Sequence, residues 1–146
     1  MKVNRFLATI LVIMAFLNVC AMAAYFPPDS PDASAYIADY SARVINAGNG
    51  NLKVSFDVTG TATMARLGAS SISIYKSNGT YVTTIYWLDS GRSGMMGSNT
   101  IYHGDMETIY VGAGSYYAVV VFYAKNSSGG IGTKTYQTGT KTITNP

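Results

Sequence analysis

Few side chains in this sequence could carry chemistry, and three of them stand together: His103, Asp105 and Glu107. They occupy alternate positions of the run Ile101 to Val111, which reads as a strand. Alternation puts all three on one face, with successive members roughly 6.8 Å apart. Two of them could lean together onto a metal ion, whereas three in a row make an awkward ligand set. The competing reading, a solvated outer face of an antiparallel strand, has the first claim. Ile101 and Ile109 share the same parity, so a break or bulge at Gly104 that changes the face weakens both readings. Catalysis has little else to draw on. His103 is the only histidine, Cys20 the only cysteine, and no serine sits in a Gly-x-Ser-x-Gly elbow. No glycine-rich loop has the pattern that cradles phosphate. The expectation is a protein that is not an enzyme and needs no cofactor.

Aromatic residues are the richer resource. On the run Tyr81 to Leu88, one parity holds Tyr81, Thr83, Ile85 and Trp87, and the other holds Val82, Thr84, Tyr86 and Leu88. Across a turn, Tyr75 faces away from Ile72 and Ile74. One of these faces is core, so the other presents two or three large rings to solvent. Exposed rings on a sheet stack on sugars or anchor a protein partner. The plainer alternative is that the tyrosines only cover a strand, or that Trp87 is the core tryptophan. Met95 and Met96 interrupt an otherwise polar, glycine-rich run from Asp89 to Thr100. Such a pair either plugs the end of a core or forms an adaptable contact surface. The candidate binding residues are therefore Tyr75, Tyr81, Trp87, Met95 and Met96.

The element expected to hold these in place is Ser115 to Lys125, SYYAVVVFYAK. It is aromatic and β-branched on both parities, which predicts a central strand covered above and below. Val111 lies six residues before Tyr117 and Gly114 three before it, the spacing of a tyrosine corner. On this reading Tyr117 is the corner, its hydroxyl bonds backbone before Gly114, and Val111 and Gly114 are the structural residues that set the spacing. The stretch looks like the sixth strand of an immunoglobulin or fibronectin type III sandwich. Earlier strands are Tyr36 to Ile45 and the cleanly alternating Leu52 to Thr59; a loop follows from Gly60 to Ala69, then a strand from Ser71 to Lys76. Ser77-Asn78-Gly79-Thr80 predicts a type I′ hairpin turn. Asn126 to Gly132 reads as a hairpin loop, and the final strand, Thr133 to Gln137 and Thr140 to Thr144, is interrupted at Gly139. The sum is an all-β fold, a single immunoglobulin/fibronectin type III-like β-sandwich of about seven antiparallel strands.

Residues 1–23 have the form of a secretory signal peptide: Lys2 and Arg5, an apolar run from Phe6 to Val19, then Ala21-Met22-Ala23. Residues 24–35 form a proline-rich extended leader, and residues 36–146 the β-sandwich domain. Two of the 10 basic residues, Lys2 and Arg5, belong to the signal, which leaves eight against 7 acids. No basic cluster remains to suit nucleic acid or an anionic membrane. With Cys20 also in the signal, the exported domain has no disulfide; lipidation of Cys20 stays open, with Val19 an unfavourable neighbour. The expected location is secreted or extracellular, with no stable membrane insertion after cleavage.

Lys53 to Thr61, Met64 to Ala69, Gly94 to Asn99 and Ala113 to Ala118 together resemble a small secreted domain family of unknown function from Gram-positive, clostridia-like bacteria. The resemblance spans residues 36 to 137 and implies export and a compact β-domain; it supplies no functional residues. The reading that follows is a non-catalytic binding module for an extracellular glycan or protein. The alternative is a self-associating component of an extracellular matrix or fibre, because the last strand, rich in Thr, Ser, Gly and Tyr, is weakly guarded as an edge.

Overall fold

The computed structural model describes residues 35–145. The expected signal peptide, Cys20 and all of the leader but Ala35 lie outside them. Seven antiparallel strands form a β-sandwich: β1 (Ile37–Gly48), β2 (Asn51–Lys76), β3 (Tyr81–Tyr86), β4 (Met96–Tyr110), β5 (Gly114–Lys125), β6 (Ile131–Gln137) and β7 (Lys141–Ile143). One 3-10 turn, Ser93–Met95, precedes β4. Among the described residues no helix is long and apolar enough to cross a membrane.

The 26-residue β2 belongs to both layers. Its first half lies between β1 and β4; its second half pairs with β5 on one side, and with β3 and the start of β4 on the other. The register against β4 jumps from Thr59↔Tyr102 to Met64↔Thr100, which is where the strand passes between layers. The loop expected over Gly60–Ala69 is therefore strand, with Met64 and Leu67 fully in the core. Gly68 marks a close approach, because a Cβ on it would lie 2.8 Å from the Met96 Cα.

The alternation Leu52, Val54, Phe56, Val58 faces the interior as expected, opposite Ile72, Ile74, Val120 and Phe122 from the second layer. Ring contacts join the layers: Phe122 meets Tyr40 at 5.3 Å and Phe56 at 6.1 Å between centroids, and Tyr40 meets Tyr136 edge-on. Burying these side chains removes apolar surface from water at about 25 cal/mol per Å², which is what holds two amphipathic sheets face to face.

Strand β5 departs from expectation. Only Tyr116, Ala118, Val120, Phe122 and Ala124 are buried; Tyr117, Val119, Val121 and Tyr123 are half-exposed on the outer face. Those outer side chains pack laterally against their cross-strand neighbours, with no second layer over them among the described residues. The tyrosine corner accordingly sits one residue earlier than expected. Tyr116, 2% exposed, donates from its hydroxyl to the Val111 carbonyl at 2.8 Å, with a longer contact to Ala113 at 3.3 Å. Gly114 takes φ +151°, and a Cβ there would press on the Tyr116 ring at 3.0–3.1 Å. Val111 accepts the hydroxyl, Gly114 stays within the corner as the residue with positive φ, and Tyr117 loses its part. Its parity points to the outer face, away from the bond it was expected to make.

Of the three hairpins, β2–β3 and β5–β6 share one turn type. Lys76 N–H donates to Thr80 and Gly79 N–H to Lys76; likewise Asn126 N–H donates to Gly130 and Gly129 N–H to Asn126. Gly79 and Gly129 have φ of +85° and +92°, while Asn78 stays at negative φ. This is a type I turn closed by a glycine bulge, where the sequence predicts type I′ for β2–β3. The third loop position, not the second, takes the left-handed conformation. The interrupted final strand is two pieces, β6 and β7, both paired to β5. Thr138 between them is buried: its hydroxyl accepts from Ala118 N–H and donates to the Gly139 carbonyl.

Candidate binding face

The outer face of the second layer carries a tyrosine cluster built by three strands. Tyr75 of β2 pairs in register with Tyr117 of β5 and, across a bulge, with Tyr81 of β3. The Tyr75 and Tyr117 rings are stacked, 5.4 Å apart with 12° between planes. Tyr81 meets Tyr75 at 5.7 Å and 71°. Edge-to-face and offset-stacked pairs are the arrangements that ring quadrupoles favour. The Tyr81 hydroxyl donates to Thr84 Oγ1 at 3.2 Å, and Thr84 shares a 2.8 Å hydrogen bond with Ser73 on β2. Tethered three residues along its own strand, Tyr81 is held down over the sheet and is still 58% exposed. A floor ring, a perpendicular wall of two stacked rings and a pair of hydroxyls thus share one face. Tyr86, also well exposed, extends the same face through its pairing with Ser71.

The bulge that assembles this face also dismantles part of the expected one. Ile74 pairs with Thr83 and Tyr75 with Tyr81, so Val82 is the extra residue. Beyond it the parity reverses. Tyr81 points outward while Ile85 and Trp87 pack against the core. Trp87 is therefore removed from the candidate set: its backbone N–H donates to the Ser70 carbonyl, and the Arg66 guanidinium lies 5.9 Å from its ring centroid. Met95 and Met96 are removed as well, being 0% and 7% exposed. They plug the core, one of the two roles open from sequence. Tyr117, assigned to the interior by sequence, joins the face instead. The one sequence signal for it was the apolar outer parity of β5.

The row His103, Asp105, Glu107 does not lie on a solvated outer face. The register of β4 runs unbroken from Tyr102 to Tyr110, with no bulge at Gly104, and it aims this parity at the segment around the 3-10 turn. That segment covers the row. Arg92 forms an ion pair with the buried Glu107, and His103 Nε2 lies 2.7 Å from the Gly94 carbonyl oxygen. A Cβ on Gly97 would be 2.7 Å from His103 Nδ1. Each of these two side chains is thus taken up separately by the loop. Among the described residues no group of three or more His, Cys, Asp or Glu converges to hold a metal ion.

No protein-family model and no curated protein matches this chain. Among solved structures, the crystal structure of CopC from Methylosinus trichosporium OB3b is similar over 75% of this chain and 93% of that one, at 20% identity and a TM-score of 0.35. A score this low assigns no residue a role.

Proposed function

We propose that the chain is an exported, non-catalytic binding module whose tyrosine face takes an extracellular glycan. Export rests on the signal-like residues 1–23, and the absence of catalysis on the engagement of His103 and Glu107 by the covering loop. The observation that carries the reading is the tether from Tyr81 to Thr84, which holds an exposed ring over the sheet with Tyr75 perpendicular beside it. A pyranose stacks its apolar C–H face on such a floor. Its hydroxyls then meet the phenol and threonine oxygens, and little side-chain entropy is lost because the ring is already held. Screening the full chain on a glycan array is the test. Bound glycans that Tyr81→Ala releases support the reading, and capture of a protein by the same face with no glycan bound contradicts it.

A second reading is self-association. Strand β6 pairs only with β5 among the described residues, and its single charge is Lys134, with no proline on the edge. Size-exclusion chromatography over a concentration series separates the two: a monomer at every concentration counts against assembly.

A further inference from the structure

The opposite side of the sandwich, the outer face of β1, β2 and β4, holds an open depression of about 400 Å³. Arg43, Ser55, Asp57, Tyr102 and Met106 line it, together with Phe56, Gly104 and Asp105. Register explains the hollow. Arg43 stands beside Ser55, and Ser55 beside Met106; Asp57 stands beside Gly104, whose missing side chain leaves the gap between Tyr102 and Met106. A Cβ at Gly104 would lie 3.1 Å from both the Phe56 carbonyl oxygen and the Tyr102 hydroxyl, so the phenol leans over this gap.

The chemistry of the lining is specific. Among the described residues the Arg43 guanidinium makes no hydrogen bond or ion pair, and the one acid that β4 adds to the lining, Asp105, stands on the inward parity beside Phe56. Asp57 spends one carboxylate oxygen on the Ser41 hydroxyl, at 2.6 Å, and keeps the other free. Arg43 and Asp57 line one hollow without pairing with each other. Tyr102 is 57% exposed and stands over the rim. A free guanidinium binds a carboxylate through two parallel N–H bonds, a free carboxylate oxygen accepts sugar hydroxyls, and a phenol ring takes an apolar sugar face. A hollow of this size falls within the range of small-ligand sites.

We propose that this depression is a second binding site, for a saccharide carrying a carboxylate. Arg43 takes the acid group, Asp57 accepts ring hydroxyls and Tyr102 covers the sugar face. The site shares no residue with the tyrosine face and stands or falls without it.

The test is titration of the full chain by amide NMR with digalacturonic acid and, in parallel, with neutral digalactose. The acidic sugar is expected to shift Ser55, Asp57 and Gly104 amides and to bind at least tenfold more tightly than the neutral one. Arg43→Ala is expected to remove that preference, Arg43→Lys to restore part of it, and Tyr81→Ala to leave it unchanged. Equal binding of the two sugars, an unaltered preference in Arg43→Ala, or no shift from either sugar at millimolar concentration overturns the proposal. Arg43 and Tyr102 are surface residues, so their variants fold, and unchanged far-UV circular dichroism confirms it.

Discussion

The Tyr116 hydroxyl donates to the Val111 carbonyl at 2.8 Å, across the turn that brings β4 into β5. The bond closes that turn from inside the core, since Tyr116 is buried and Gly114 between the two supplies the unusual φ. Tyr116→Phe keeps the ring but leaves a backbone acceptor without its partner, at a cost of about 1–3 kcal/mol. Tyr117→Phe removes an outer-face hydroxyl and is expected to cost far less. Paired urea melts measure both. A larger loss in Tyr117→Phe would contradict the assignment.

Gly68 and Gly139 form a matched pair of glycines. A Cβ at Gly68 meets the Met95–Met96 backbone, whereas one at Gly139 meets nothing within 4 Å. Gly68→Ala must push the covering segment off the core, and about 1–3 kcal/mol or more is expected for overpacking. Gly139→Ala is expected to be nearly neutral, and thermal melts of the two variants measure the difference.

Arg92, partly exposed on the covering loop, forms an ion pair with the buried Glu107 of β4. Removing one partner leaves a carboxylate out of water with no counter-charge, so Arg92→Leu is expected to destabilise by about 2–4 kcal/mol. The double variant Arg92→Leu/Glu107→Leu is expected to recover most of that loss. A double variant no better than the single one would show that the pair is not the source of the effect.

What the sequence discloses, and what it hides, follows from the range of the interactions involved. Leu52 to Val58 could be read because strict alternation reports one buried face directly. Val111 and Gly114 could be read because turn chemistry is local. The adjacent pair Tyr116-Tyr117 offers two candidates for one corner, and apolar residues on both parities of β5 cannot say which is inside. Trp87 was misplaced by a single extra residue, Val82, since one bulge flips every side chain beyond it. His103 and Glu107 were read as exposed because their cover comes from another segment, whose docking no pattern within β4 announces. Tyr75 and Tyr81 were legible as ring-bearing positions; their union with Tyr117 required the register.

Trp87→Ala separates core from site. Its ring packs against buried residues and under Arg66, so the variant is expected to lower the melting temperature while leaving ligand affinity, measured well below that temperature, unchanged. Loss of affinity with an unchanged melt would return Trp87 to the binding face.

The central claim is that Tyr81, held by Thr84 and flanked by Tyr75, is the floor of a glycan site. Isothermal titration of the best array glycan against the full chain and its Tyr81→Ala variant tests it most directly. The account predicts at least a tenfold weaker Kd in the variant, about 1.4 kcal/mol, with an unchanged melting temperature. A variant that binds the glycan as tightly as the parent chain would contradict it.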